Sequence, residues 1–230
     1  MNTVAMPSAP AAVLFDLDGT LLDTAPDLIG ALNRVLLEQN RDPVAVADFR
    51  RWVSQGGRRL LREGFPDLDQ SRIEDLLPCF LSYYEAHIAE HTLIYPGVDE
   101  VLAELDHHAI PWAIVTNKPI GLTHMLLRAI GWEGRTPVVI GGDSLAERKP
   151  HPLPLQVALQ RLGASAANAC MVGDDLRDIQ AGQQAHCRTL IARWGYLDRP
   201  DQLAQWGADG IVERPLDLLG RWFSSARASA

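Results

Sequence analysis

The sequence predicts an α/β fold, a doubly wound, Rossmann-like parallel sheet with a helical cap inserted after its first strand. Three observations predict it. The apolar run Ala11–Phe15 reads as a buried strand that leads straight into Asp16-Leu17-Asp18-Gly19-Thr20. Beyond Pro96-Gly97, strand-like and helix-like segments alternate, the pattern of a parallel sheet covered on both faces. Between these regions, residues 24–91 carry helical patterns and no clear strand.

The elements follow in order. Residues 1–10 lack a basic patch and an apolar core, so they read as a short disordered lead-in and not as a signal peptide. Thr24 is placed to cap a first helix, with Pro26 and Asp27 in its first turn and Leu28, Leu32, Val35 and Leu36 as its apolar stripe. Residues 48–63 hold shorter helices broken at Gly56-Gly57. Ser71-Arg72-Ile73-Glu74 has the spacing of a capping box. It opens a second long helix whose inner face carries Leu76, Leu77, Phe80, Tyr84 and Ile88. Helices are then expected at 98–105, 123–130, 153–162 and 176–185. Strands are expected at 112–115, 138–140, 169–172 and 189–192. The resulting division is a lead-in at 1–10, a core at 11–23 and 93–230, and a cap at 24–92.

Composition narrows the function. Hydrophobic residues make up 47% of the 230, enough for a sizeable core. The formal charge of −8, from 21 basic and 29 acidic residues, speaks against nucleic acid or an anionic membrane as partner. No apolar run is long enough to span a bilayer. Cys79, Cys170 and Cys187 are odd in number and lack paired spacing. They read as reduced thiols in a cytoplasmic protein, with Cys170 in the core.

The chemistry begins at Asp16 and Asp18. Two carboxylates at the end of a buried strand lose solvation, so they call for a metal or a task. One can attack as a nucleophile while the other moves a proton. The plain alternative is a strand ending in an acidic turn. Ligands of doubly wound sheets bind at the carboxyl ends of strands. Thr116-Asn117 and Asp174 also fall at such ends, although Thr and Asn alone suit an ordinary βα turn. Asp175 is placed to cap the helix that starts at Leu176. His87 and His91 stand four apart on the expected helix with no third metal ligand nearby, so they read as surface residues. His151 reads as a helix N-terminal residue.

Four segments, Val13 to Thr20, Ile114 to Asn117, Arg148 to Pro150 and Val172 to Asp178, together resemble the haloacid dehalogenase superfamily of phosphatases. They occur in that family's order, and the likeness runs from about residue 11 to 219. Within the superfamily the chain resembles the phosphoglycolate phosphatase branch. It is more closely similar to N-acetylmuramic acid 6-phosphate phosphatases, through Gly173 to Ile179, Ala192 to Tyr196 and Trp206 to Asp209.

The resemblance implies an Mg²⁺-dependent phosphatase acting on a small phosphate ester, as a monomer or homodimer. Asp16 would be the nucleophile and Asp18 the general acid and base. Mg²⁺ would be held by Asp16, the backbone oxygen of Asp18 and Asp174, with Asp175 and Asp178 behind them. Thr116 and Asn117 would meet the phosphate, Gly19 would let the backbone approach it, and Lys149 would neutralise Asp16. Lys118 competes for that last role. In the cap, Arg58 and Arg59 are candidates for substrate binding, with solvated helix arginines as the equal alternative. An acid at position 18 disfavours dehalogenase chemistry. A sugar phosphomutase and a non-catalytic scaffold are the remaining readings.

Overall fold

The computed structural model describes residues 9–223. In chain order the first elements are β1 (Ala12–Phe15), β2 (Leu22–Asp23), α1 (Ala25–Glu38), α2 (Val46–Phe49), a 3₁₀ segment (Arg50–Gln55), α3 (Gly57–Gly64), α4 (Gln70–Ala86) and β3 (Leu93–Ile94). Next come α5 (Val98–His107), β4 (Trp112–Val115), α6 (Ile120–Ala129), β5 (Val139–Ile140), α7 (Leu153–Leu162) and β6 (Ala169–Gly173). The chain continues through α8 (Leu176–Gln184), β7 (Arg188–Ala192), β8 (Gly210–Val212) and α9 (Asp217–Phe223).

Six strands form one parallel sheet in the order β5-β4-β1-β6-β7-β8. β1 lies between β4 and β6, with Phe15 opposite both Ile114 and Val172. The two directions of winding meet there, so the ends of these three strands frame a crevice. Side chains on a strand alternate between faces. Val13 and Phe15 accordingly join an apolar cluster with Leu102, Trp112 and Trp222. Ala12 and Leu14 join another with Met171, Leu155 and Ala181 on the opposite face.

The segment between β1 and β4 leaves and re-enters through the antiparallel pair β2–β3, Leu22 facing Ile94 and Asp23 facing Leu93. Its helices pack around their own apolar cluster, including Leu32, Leu36, Leu61, Phe65, Phe80 and Tyr84. Leu122 of α6 and Tyr196 after β7 join that cluster from the sheet side. Asp27, buried on α1, ties the two ends together. Its carboxylate accepts from the His91 amide at 2.8 Å and from the Thr92 hydroxyl at 2.6 Å.

Several expectations need correction. Ala9 packs against the sheet cluster and the Ala11 amide donates to Asn168 O, so the chain is already ordered there; residues 1–8 lie outside the described residues. Helix α4 begins one turn fraction earlier than expected. Asp69 accepts from the Arg72 amide at 2.9 Å and is the cap, so Ser71 is inside the helix. Thr24 occupies the N-cap position of α1 but makes no side-chain cap bond; its hydroxyl donates instead to Asp18. α4 ends at Ala86, so His87, Ile88 and His91 lie beyond it, and His87 pairs with Glu90. The 3₁₀ turn at Pro200–Trp206, β8 and α9 follow the last expected strand. Their residues show no sustained period.

Asp27→Ala leaves the His91 amide and Thr92 hydroxyl without their shared acceptor. The expected cost is about 2 kcal/mol of unfolding free energy. Urea denaturation checks it; a loss below about 0.5 kcal/mol, the ordinary scatter of surface changes, would remove Asp27 from this role.

Candidate active site

The crevice is built on the end of β1. Asp16 follows Phe15, and its own amide donates to Val172 O at 3.0 Å, which keeps the loop in register with β6. Asp16 Oδ1 accepts from the Leu17 amide at 2.8 Å and lies 2.9 Å from Lys149 Nζ. Lys149 is 2% exposed, with its ammonium also 2.7 Å from Asp178 Oδ1 and donating to Val115 O at 2.5 Å. Burial works against its charge, but Asp16 and Asp178 hold its pKa above the ordinary lysine value. Of the two competing lysines, Lys149 is therefore the one at Asp16. Lys118 sits at Asp18 instead, 2.9 Å from Oδ1, the same oxygen that accepts from Thr24 at 2.6 Å.

Asp174, at the end of β6, is 1% exposed. Its Oδ1 accepts from the Thr20 hydroxyl at 2.9 Å, and its Oδ2 accepts from the Tyr196 amide at 2.8 Å and the Ser54 hydroxyl at 3.2 Å. Burial first, then the nearby Asp16 and Asp178, push its pKa well above the usual carboxylate range. Asp16, Asp174 and Asp178 each place a carboxylate oxygen within 4.8 Å of the others. Three buried carboxylates gather here and one ammonium, that of Lys149, pairs with two of them, which leaves a donor set of hard oxygens with unbalanced charge. That set fits a divalent cation of the Mg²⁺ kind.

Asp175 and Asp178 form a reciprocal cap on α8. Asp175 accepts from the Arg177 amide at 2.9 Å, while its own amide donates to Asp178 Oδ2 at 3.0 Å. Burial disfavours the Asp175 carboxylate, yet the guanidinium of Arg177, 2.7 Å away, holds its pKa below the ordinary value. Both Asp178 oxygens are thus engaged by protein groups.

Gly19 has φ +85°, and a Cβ there would fall 2.2 Å from Asp174 Oδ2. Its smallness makes room for Asp174 and the Tyr196 ring. Gly195 is constrained in the same way, its Cβ position lying 2.2 Å from that of Asp174. Thr116 is buried at the end of β4 and accepts from the Lys118 amide at 3.2 Å. The Asn117 side-chain amide donates to Lys149 O at 2.9 Å.

A cavity of about 260 Å³ lies between these residues and α4. Asp16, Asp18, Thr116, Asn117 and Lys118 line it from the sheet side; Ser54, Arg58, Phe80 and Tyr84 line it from the helices. Arg58 pairs with Glu74 at 2.9 Å on the cavity rim. Arg59 pairs with Glu63 at 2.8 Å and faces a neighbouring cleft that reaches Asp174. Thr20, Thr24 and the Tyr196 amide were not legible as site groups. A lone Thr carries no spacing signal, and a backbone amide carries none at all.

Comparison with known proteins gives the family. A family model described as haloacid dehalogenase-like hydrolase matches residues 13–192. A phosphoglycolate phosphatase of Xylella fastidiosa (strain Temecula1) is 44% identical over 221 residues, 96% of each chain. An N-acetylmuramic acid 6-phosphate phosphatase of Pseudomonas aeruginosa is 38% identical, covering 90% of this chain and 92% of that one. The solved structure of a predicted phosphoglycolate phosphatase from Haemophilus somnus 129pt superposes with a TM-score of 0.81 at 29% identity, over 91% of this chain and 96% of that one. The chain therefore belongs to the haloacid dehalogenase-like hydrolases, as a phosphoric monoester hydrolase of that family.

Proposed function

We propose that this protein hydrolyses a small phosphate monoester through an aspartyl-phosphate on Asp16, with Mg²⁺ as cofactor. The observation that carries the reading is the convergence of Asp16, Asp18, Asp174 and Lys149 at one strand-end crevice. Lys149 and the Leu17 amide hold one oxygen of Asp16 and leave the other free to attack phosphorus. As the new Asp16–phosphorus bond forms, the bond to the leaving oxygen breaks. Asp18 donates the proton that leaving oxygen needs. Asp18 then takes a proton from water as water attacks phosphorus, and the Asp16 carboxylate is released with inorganic phosphate. Thr24 and Lys118 fix Asp18 through one oxygen, leaving its other oxygen for the proton. Thr116 is assigned to the transferred phosphoryl group, with Asn117 beside it.

Asp16, Asp174 and the backbone oxygen of Asp18 would hold the metal. Asp178 would act behind them through Lys149 and the Asp175 amide. When bound, Mg²⁺ supplies positive charge beside the carboxylates and the phosphoryl oxygens. Helices α1 to α4 serve as the cap over residues 24–92, with Arg58 at the rim of the substrate cavity and Arg59 at the adjoining cleft. The three cysteines form no disulfide, which fits a cytoplasmic setting.

N-acetylmuramic acid 6-phosphate is the preferred substrate reading. The cavity wall supports it, because the aromatic rings of Phe80 and Tyr84 stand there beside polar side chains such as Ser54, Gln55 and Asn117. Phosphoglycolate is the second reading, supported by the higher identity to a relative of that name.

Phosphate release with Mg²⁺ or EDTA over both esters, hexose phosphates and nucleotides tests the assignment. Turnover is expected only with Mg²⁺. Asp16→Asn is expected to lower it by about 10⁴-fold or more while the fold stays intact. Substantial turnover by a clean Asp16→Asn preparation would remove Asp16 as nucleophile, and isomer without free phosphate would indicate a mutase.

A second outcome concerns pH. Because the folded protein raises the Asp174 pKa, it binds more protons than the unfolded chain above the ordinary carboxylate range. Stability of the metal-free protein should therefore fall as pH rises from that range toward the raised value. Mg²⁺ should oppose the fall. Thermal melts from pH 5 to 8, as a rough span, check both; a metal-free Tm that is flat or rises contradicts the charge argument.

A further inference from the structure

The cleft that adjoins the active site carries charge that the reaction does not use. It holds about 620 Å³ between α3 on one wall and, on the other, the start of α8 and the 3₁₀ turn at Pro200–Trp206. That volume falls within the roughly 300–1,000 Å³ of small-molecule sites. In a chain of formal charge −8, five arginines line this one cleft against three carboxylates.

Each charge can be followed to its partner or to none. Arg177 is matched by Asp175 at 2.7 Å, Arg58 by Glu74 at 2.9 Å and Arg59 by Glu63 at 2.8 Å. Asp174 belongs to the carboxylate cluster of the active site. Arg62 donates only to the side-chain oxygen of Gln70, a neutral acceptor. Arg199 has no hydrogen-bond or ion-pair partner among the described residues. Against these two cations stands one unpaired carboxylate of the lining, Asp198. Arg59 also keeps a buried Nε–H with no acceptor, and leaving such a donor unpaired costs free energy. Arg59 and Arg62 are three apart on α3 and so share a face.

The idle groups on these arginines are all guanidinium donors, and a guanidinium fork suits the oxygens of carboxylate or phosphate. They come from both walls. A planar carboxylate offers two oxygens in one plane, whereas a tetrahedral oxyanion offers oxygens to both walls at once. The ion is not the phosphoryl group in transfer. Asp16 and Thr116, which have to meet that group, line the other cavity and not this cleft. Gln55 and Arg58 are the lining residues common to the two.

We propose that the cleft is a second anion site, separate from the active site, which takes a phosphate-class oxyanion between Arg59 and Arg62 of α3 and Arg199 of the facing turn. An ion seated there ties the helical segment to the sheet side. The inference goes beyond the phosphatase reading and does not depend on it.

The test is calorimetric titration of the full chain in EDTA with inorganic orthophosphate and, separately, pyrophosphate. Without a divalent cation the carboxylates of Asp16, Asp174 and Asp178 outnumber the Lys149 ammonium. The active site then disfavours an anion, and binding reads the cleft. The wild type should bind at least one of the two ions. Arg62→Gln and Arg199→Gln, both at exposed positions, should each weaken that binding by about tenfold, the scale of one charged hydrogen bond. Arg193→Gln, at an arginine paired with Glu213 outside the cleft, should leave it unchanged. Binding of orthophosphate makes the ligand the ion that phosphate-ester hydrolysis releases; binding of pyrophosphate alone makes it a polyphosphate from another source. No binding of either ion, or equal weakening by Arg193→Gln, overturns the site. With Mg²⁺, both cleft variants should keep kcat and KM for p-nitrophenyl phosphate within about twofold of wild type. A KM raised by about tenfold makes the cleft part of the substrate site and overturns its separateness. Absence of all hydrolysis removes the phosphatase reading, and the anion titration still decides the cleft.

Discussion

The structure depends on how it keeps buried negative charge together. Asp16, Asp174 and Asp178 are drawn to one point by the pairing of β1 with β6 and by the cap of α8. Lys149 is the single ammonium among them, held at once by Asp16, Asp178 and the Val115 carbonyl. Removing one partner from such a cluster is costly, because it leaves an uncompensated buried charge. The cluster therefore fixes the loops around it. Positions 19 and 195 hold glycine because Asp174 occupies the space a Cβ would need.

The two acids of the first motif live in different surroundings, which suits two different tasks. Asp16 faces Lys149 and the carboxylate cluster. Asp18, two residues on, faces Lys118, Thr24 and the cavity. Both lysines are thus bound to an acid, one for each. The choice between Lys149 and Lys118 resolves into a division between them, a result loop geometry alone decides. Ser54 from the 3₁₀ segment adds a hydroxyl to Asp174, and Arg177 donates to Ser54 O at 2.6 Å. The helices over the site are thereby connected to the same charge cluster they cover.

Much of this was legible in the sequence because the signals were periodic or contiguous. Apolar runs of four or five residues marked β1, β4, β6 and β7 to within about one residue, and the acids that follow β1 and β6 marked the candidate site. Asp175 was readable as a cap because the sequence pattern and the chemistry coincide there. The losses came where local options compete. Asp69 and Ser71 both suit an N-cap, and only the fold selects Asp69. Thr24 stands where a cap belongs, but a carboxylate six residues back is the better acceptor for its hydroxyl. Tyr84 reads as one more apolar position on a helix face, since nothing in the helical period reveals that it lines a cavity beside Lys118.

The paired strands β2 and β3 carry a wider consequence. Both ends of the helical segment pass through that one short ribbon, and the sheet closes around β1 without any strand from the segment. The register of β1 with β4 and β6 is therefore set by the sheet's own pairing, with no contribution from the helices. In such an architecture the strand ends that carry Asp16, Asp18 and Asp174 are set by the sheet, while Phe80 and Tyr84, on the far wall of the cavity, are set by the insert.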